Sequence, residues 1–339
     1  MTPSPLRVDP DTTVVICAYT DERWDETCEA IASACAQSPA PAEVLLVIDH
    51  NPALQARFEA RVRDSPWCVR VLENTSAKGL SGARNTGVAA AATPYVAFLD
   101  DDAAAASGWL SALTAPLADP SISGAGGRAI PRWPGDAAPA WFPDEFNWVV
   151  GCSYRGLPET SAEIRNPIGA SMILRRDDVL DAGGFHTGLG RINRIPLGCE
   201  ETELCIRITR LTSGRFVYAP ESVVVHRASA DRKSARYFFR RCYAEGLSKA
   251  AVTSLAGSDD GLSSERDYVR RVLPGGVVRR LAAATALGRR SAAPRRSELA
   301  GQVSMIVLGA GVTACGYLRG RMSHVNVPER ETPDVSAKQ

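Results

Sequence analysis

Four apolar runs rich in β-branched residues, TVVICAY (13–19), AEVLLVIDH (42–50), CVRVLEN (68–74) and YVAFLD (95–100), alternate with helix-patterned stretches in the first hundred residues. This alternation constrains the fold more than any other feature of the 339-residue chain. Continuous apolar runs of this length fit strands buried on both faces, the usual state in a parallel sheet covered by helices. Between them, DETCEAIASACAQS (25–38), ALQARFEARVRD (53–64) and SGARNTGVAAAA (81–92) read as helices. The β-α-β-α order predicts an α/β fold with a doubly wound sheet flanked by helices. Ligands of such sheets sit at the carboxyl ends of the strands. Here those ends read AYTDER, IDHNP, ENTSAKGLSGARN and LDDDA, so acidic, amide and hydroxyl groups gather on one edge.

Further along, the pattern loosens from about 120 to 165 into a Pro, Trp and Gly-rich region. NPIGASMILRRDDVLDAGGF (166–185) reads as a strand, a turn and a short helix closed by Gly183 and Gly184. CEETELCIRITRLTS (199–213) reads as a helix, and RFVYAPESVVVHR (215–227) as two short strands around Pro220. Beyond Ala230 the chain turns helical and basic, with nine arginines and one acid between Arg266 and Arg296. QVSMIVLGAGVTACGYL (302–318) carries no charge, which leaves three readings: a packed terminal helix, an interfacial anchor or a short membrane span.

A formal charge of +1 gives no basic field for nucleic acid, and none is expected as a partner. The nine cysteines form no C-x-x-C pair and no zinc-like spacing, so they read as reduced thiols of a cytoplasmic protein. MTPSPLRVDPDTT shows no basic segment followed by an apolar one, and no secretory signal is expected.

Three neighbouring carboxylates, Asp100, Asp101 and Asp102, repel one another unless water, a basic group or a cation compensates them. On a strand ending at Leu99, Asp100 and Asp102 fall on one side and Asp101 on the other. An acid-x-acid pair can hold one hard divalent cation, Mg2+ or Mn2+, that keeps substrate phosphates in its shell. On a helix starting near Glu200, Glu200 and Glu203 share a face and Glu201 points elsewhere. His226 ends the strand-like run SVVVH, where neutral imidazole could join such a metal site. Trp141, Trp148 and Tyr154 fit stacking on a sugar or packing within a loop.

Two other nucleotide-binding classes lack their signatures. The segment after the first strand, AYTDERWD, has no G-x-G-x-x-G, and the chain has no G-x-x-x-x-G-K-[ST]. A sugar nucleotidyltransferase would need a glycine-rich basic loop at the same place, and that loop is missing too.

GLSGARNTGVAAAATPYVAFLDDDAAAASGWL resembles the core of the family 2 glycosyltransferases, in which an Ala-Arg-Asn-x-Gly helix leads into a strand ending in aspartates. VVICAYTDER, VLLVIDHNP, GASMILRRDDVLDAGGF, GCEETELCIR and VVVHRASA resemble further motifs of that family, in the same order, over roughly residues 12 to 230. The resemblance implies a GT-A type fold with a mixed sheet. Its glycosyltransferase domain would span 1–230, with a nucleotide-binding half (12–118) and an acceptor-binding half (119–230). A helical region (231–325) and a disordered tail (326–339) would follow. It also implies inverting, metal-dependent transfer of a sugar from a nucleoside-diphosphate sugar, UDP-sugars favoured, to an acceptor hydroxyl. The acceptor would be a carbohydrate, a lipid-linked glycan or a small molecule, as in cell-envelope polysaccharide or glycoconjugate synthesis. Carried over by residue, Ala18, Tyr19, Asp49, Arg84, Asp100 and Asp101 would bind the nucleotide sugar. Asp102, Asp100 and His226 would bind the metal. Glu201 stands where the family has an aspartate base, and its extra methylene leaves Glu200 as the other candidate. The basic, apolar C-terminal region suggests peripheral contact with the inner face of the plasma membrane. The contrasting expectation is a non-catalytic nucleotide-sugar-binding or membrane-scaffolding protein.

Overall fold

A computed structural model describes residues 8–190, 198–286 and 296–323. The expected tail at 326–339 lies outside the described residues. The contacts divide the chain into two compact units, one drawn from residues 1–129 and 160–225 and the other from 130–159 and 226–325.

In the first unit, strands β1 (Val8–Ala18), β2 (Ala40–Ile48), β3 (Val69–Glu73) and β4 (Tyr95–Asp100) alternate with helices α1 (Trp24–Cys35), α2 (Pro52–Arg63) and α3 (Leu80–Ala90). β5 (Ala103–Ala105), α4 (Trp109–Thr114), β6 (Ile122–Arg132), β7 (Ala162–Ile164), β8 (Ser171–Arg175), α5 (Arg176–Asp181), α6 (Glu200–Thr212) and β9 (Arg215–Arg227) follow. The nine-stranded sheet has the order β3-β2-β1-β4-β8-β6-β9-β5, with β7 paired to β9. β1 is parallel to both β2 and β4, while β8 is antiparallel to β4, so the sheet is mixed. Because β1 lies between β2 and β4, their carboxyl ends open the crevice in which ligands of such sheets bind.

Packing explains why these apolar runs become strands. Val15, Leu45, Phe98, Met172, Phe185 and Phe216 belong to one buried cluster between the sheet and its helices. α3 comes so close to β1 that a Cβ on Gly87 would lie 2.5 Å from Val15 Cγ1, which only glycine permits.

Three elements differ from the sequence reading. The region after 120 opens with the eleven-residue strand β6, whose glycines hide its strand character. At Gly124 an added Cβ would lie 2.6 Å from the Ile173 carbonyl oxygen, so the residue is small because β8 is close. The alanines after the aspartates form β5. Residues 215–227 form a single strand through Pro220, which stands two residues past the end of the pairing with β7 at Tyr218.

The second unit is helical: α7 (Ala235–Ala256), α8 (Ser258–Gly261), α9 (Ser263–Asp267), α10 (Leu273–Ala286) and α11 (Arg296–Met322). It also holds most of the tryptophan-rich segment. Trp141 and Phe142 stack edge-on to Phe238 of α7, Trp148 Nε1 donates to Tyr268 Oη at 3.1 Å, and Tyr154 packs edge-on to Tyr268. These contacts account for Trp141, Trp148 and Tyr154 as packing residues. The fully buried Glu145 accepts from Arg279 (2.5 Å) and Arg280 (2.9 Å), tying the 144–150 turn to α10.

Candidate active site

β1, β2 and β4 carry their acidic groups to one edge by register alone. Cys17 of β1 pairs with Asp100 and with Val47, and the Asp49 amide donates to the Ala18 carbonyl at 2.8 Å. Ala18 is buried, and Tyr19 beyond it is exposed at the rim. Asp49 is engaged by the β3–α3 loop: Asn74 Nδ2 donates to Oδ1 at 2.7 Å and the Gly79 amide to Oδ2 at 3.0 Å. The carboxylate read as base-contacting therefore also fixes the loop that leads into α3.

Asp100 is the last residue of β4, and the chain resumes at once as β5. Asp101 and Asp102 are thereby held in a tight turn, and both are buried. Arg23, in the turn after β1, donates to Asp101 Oδ1 at 2.7 Å and lies 3.2 Å from Asp102 Oδ2. Asp101 is thus paired with a guanidinium. Burial pushes its carboxyl up to about 6 against the pull of Arg23, and Asp102 and Asp100 add to the rise. Arg23 escapes sequence reasoning because nothing in TDERWD distinguishes it from a solvated turn residue.

Arg84 of α3 is buried. Its Nη1 donates to Glu200 Oε1 at 2.9 Å, and its Nη2 to Asp100 Oδ1 at 3.3 Å and to the Gly169 carbonyl at 3.1 Å. The Phe98 and Phe185 rings lie 5.7 and 5.5 Å from the guanidinium carbon. Burial works against its charge, but Glu200 and Asp100 more than offset that, and its pKa stands above the ordinary value. A solvated helix charge is excluded. The residue links the end of β4 to the start of α6.

α6 begins after Cys199, a non-glycine residue at φ 69°, in the left-handed region that strained functional segments often use. Of the glutamates in its first turn, Glu200 is held by Arg84 and Glu203 by Arg207, at 2.5 Å. Glu201 is only half-buried. The helical period sets Glu200 and Glu203 on the packed side and turns Glu201 away from it, as the spacing predicts.

His226, next to last in β9, is buried. Asp100, Asp102 and His226 each offer a ligand atom, and these atoms lie within 4.8 Å of one another. Two carboxylate oxygens and one imidazole nitrogen suit a hard to borderline divalent cation. The residues present therefore fit a bound divalent metal.

A mixed α/β sheet with a candidate cation-binding group at the carboxyl ends of its parallel strands is the arrangement expected of a GT-A fold. The comparisons agree. The model of glycosyl transferase family 2 matches residues 13–181. Glucosyl-dolichyl phosphate glucuronosyltransferase of Haloferax volcanii is 33% identical over 253 residues, 73% of this chain and 79% of that protein. Pre-mycofactocin glycosyltransferase of Mycobacterium tuberculosis is 28% identical over 163 residues, 47% of this chain and 32% of that protein. Among solved structures, the mannosyltransferase PcManGT from Pyrobaculum calidifontis, in complex with GDP-Man and Mn2+, aligns at a TM-score of 0.57 and 18% identity over 93% of this chain and 91% of that one. GalNAc-T7 with UDP, GalNAc and Mn2+ aligns at 0.50 and 17% identity over 76% of this chain and 53% of that one. The chain belongs to the family 2 glycosyltransferases, and it is a glycosyltransferase with a GT-A fold.

Proposed function

We propose that the enzyme transfers a sugar, with inversion, from a nucleoside-diphosphate sugar to a hydroxyl of a lipid-linked acceptor. The observation that carries this reading is the Asp100, Asp102 and His226 donor group beside the crevice of the parallel strands. A Mg2+ or Mn2+ ion held there would neutralise the diphosphate as it leaves. Glu201 takes the acceptor hydroxyl proton while that oxygen attacks the anomeric carbon, and the bond to the diphosphate breaks with its electron pair. Glu200 is poorly suited to that task, because its carboxylate is already spent on Arg84. Arg84 and Arg23 hold Asp100, Asp101 and Asp102 in place. Asp49, Ala18 and Tyr19 border the nucleotide, UDP by the favoured reading.

The lipid-linked acceptor is supported by the name of the Haloferax relative, which acts on a glucosyl-dolichyl phosphate. It is supported too by the uncharged run in α11, which suits peripheral contact with the cytoplasmic face of a membrane. The test is a thermal-shift screen of UDP-, GDP- and dTDP-sugars with and without Mn2+. A metal-dependent rise in Tm with one donor class, abolished by Asp102→Asn, supports the reading. A rise that ignores both metal and Asp102 overturns the metal assignment.

A further inference from the structure

Residues 299–318 contain no charged side chain, and at 1.5 Å per residue this stretch of α11 is about 30 Å long, enough to cross a hydrocarbon core. Apolar residues surround the helix on all sides, whereas a surface helix in water shows charge on its outer face. Val307, Leu308, Leu318 and Met322 are 60%, 53%, 59% and 71% exposed.

The inner face is built differently, from glycine. An added Cβ on Gly316 would lie 2.2 Å from the Tyr243 carbonyl oxygen, and one on Gly246 of α7 2.1 Å from the Thr313 carbonyl oxygen. One on Gly320 would lie 2.6 Å from Ala250 Cβ, and Gly309 faces Phe238. The partners rise together along both helices, so α7 and α11 run in the same direction with backbones nearly touching. Small residues four apart that let helices touch are the association mode used where large apolar side chains are needed elsewhere, as in lipid. The large side chains of α11 are left for the outside.

α7 also decides how the helix can lie. Over the paired stretch it carries Arg240, Arg241, Glu245 and Lys249, with Lys249 bonded to Glu245 (3.4 Å) and to Glu265 (2.7 Å). A spanning α11 would draw these charges into hydrocarbon or lose its glycine contacts, and either is unfavourable. Charges bound the uncharged stretch at both ends: Arg296 and Glu298 before it, Arg319 and Arg321 after it, the three arginines exposed. From these contacts we infer that α11 lies in the plane of an anionic lipid surface. Its Val307, Leu308, Leu318 and Met322 face enters the acyl boundary, and its terminal arginines meet lipid phosphates. This deepens the membrane contact proposed above and rests on it for biological sense, but the lipid itself is the occupant, and no donor or acceptor is needed to detect it.

The test is flotation of the full chain with vesicles of phosphatidylcholine, with and without phosphatidylglycerol. The expected result is binding that anionic lipid strengthens. Val307→Gln/Leu308→Gln/Leu318→Gln should weaken it about tenfold or more at unchanged Tm, because those side chains point outward. Depth is read separately from Leu308→Trp and Leu318→Trp, each as the fluorescence gained over wild type, with brominated lipids. In-plane placement gives equal, shallow quenching, whereas a span separates the two by about 15 Å. Unequal depth, no vesicle binding, or a dimer dissolved by the triple substitution would each overturn the inference. Normal donor turnover alongside any of these would leave the transferase reading standing.

Discussion

Arg84→Met is the substitution with the largest calculable effect. The Arg84 side chain is 3% exposed and holds the Glu200 side chain, itself 7% exposed, at 2.9 Å. Removing one partner of a buried pair leaves an uncompensated charge and costs about 3–5 kcal/mol. Asp100 adds little, because its side chain is 29% exposed and water can replace the lost partner. The freed Gly169 carbonyl adds about 1 kcal/mol. The expected loss is thus about 4–6 kcal/mol, read as a fall in the urea midpoint. Arg84→Lys keeps the charge but loses the fork that reaches two carboxylates, so it should cost less, about 1.5–3 kcal/mol. The decisive comparison is Arg84→Met/Glu200→Gln, which removes the stranded charge and should recover at least about 2 kcal/mol over Arg84→Met. If Arg84→Met costs under about 1 kcal/mol, or the double variant recovers nothing, the buried pair is not what holds α6 to β4.

Arg23→Gln strips the buried Asp101 of its guanidinium and should lower stability by about 2–4 kcal/mol, with partial rescue by Asp101→Asn, measured by the same urea titration. Gly246→Val places a side chain where the Thr313 carbonyl stands, so α11 should separate from α7 and be cut faster by limited proteolysis, whereas Gly311→Val, in open space, should not change the rate. Exposed Cys68 and Cys315 should react with a thiol reagent in the native protein, and buried Cys242 only after unfolding. Burial pushes Cys242 up to about 12 and Cys35 up to about 11, from an ordinary value of 9.0. In the fold these thiols keep protons that the unfolded chain has lost, so their contribution to stability is complete below about pH 9 and fades as pH rises toward those values, measurable as a falling Tm.

The strands of the parallel half are legible because burial on both faces demands long apolar runs, and TVVICAY and YVAFLD could serve little else. β6 was hidden because close approach to β8 selects glycine, which has no strand signature, at Gly124. β5 was hidden because three alanines favour no state strongly. At the site, the carboxylates stand in plain view as DDD and CEETE, but what holds them does not. Arg23 and Asp101 are 78 positions apart, Arg84 and Glu200 116, and no local spacing announces a pair that only the sheet brings together. The same pairing gives Glu200 different surroundings from Glu201, and the proposed choice of base rests on that difference.

The most direct test of the account is the rate of nucleoside diphosphate release from a donor sugar and acceptor in the presence of Mn2+, compared across wild type, Glu201→Gln and Glu200→Gln. Glu201→Gln should lower turnover by about 10²–10⁴ with donor KM little changed, the usual worth of a general base. Glu200→Gln should act mainly through stability and keep most of the turnover at low temperature. Turnover that survives in Glu201→Gln but collapses in folded Glu200→Gln would contradict it.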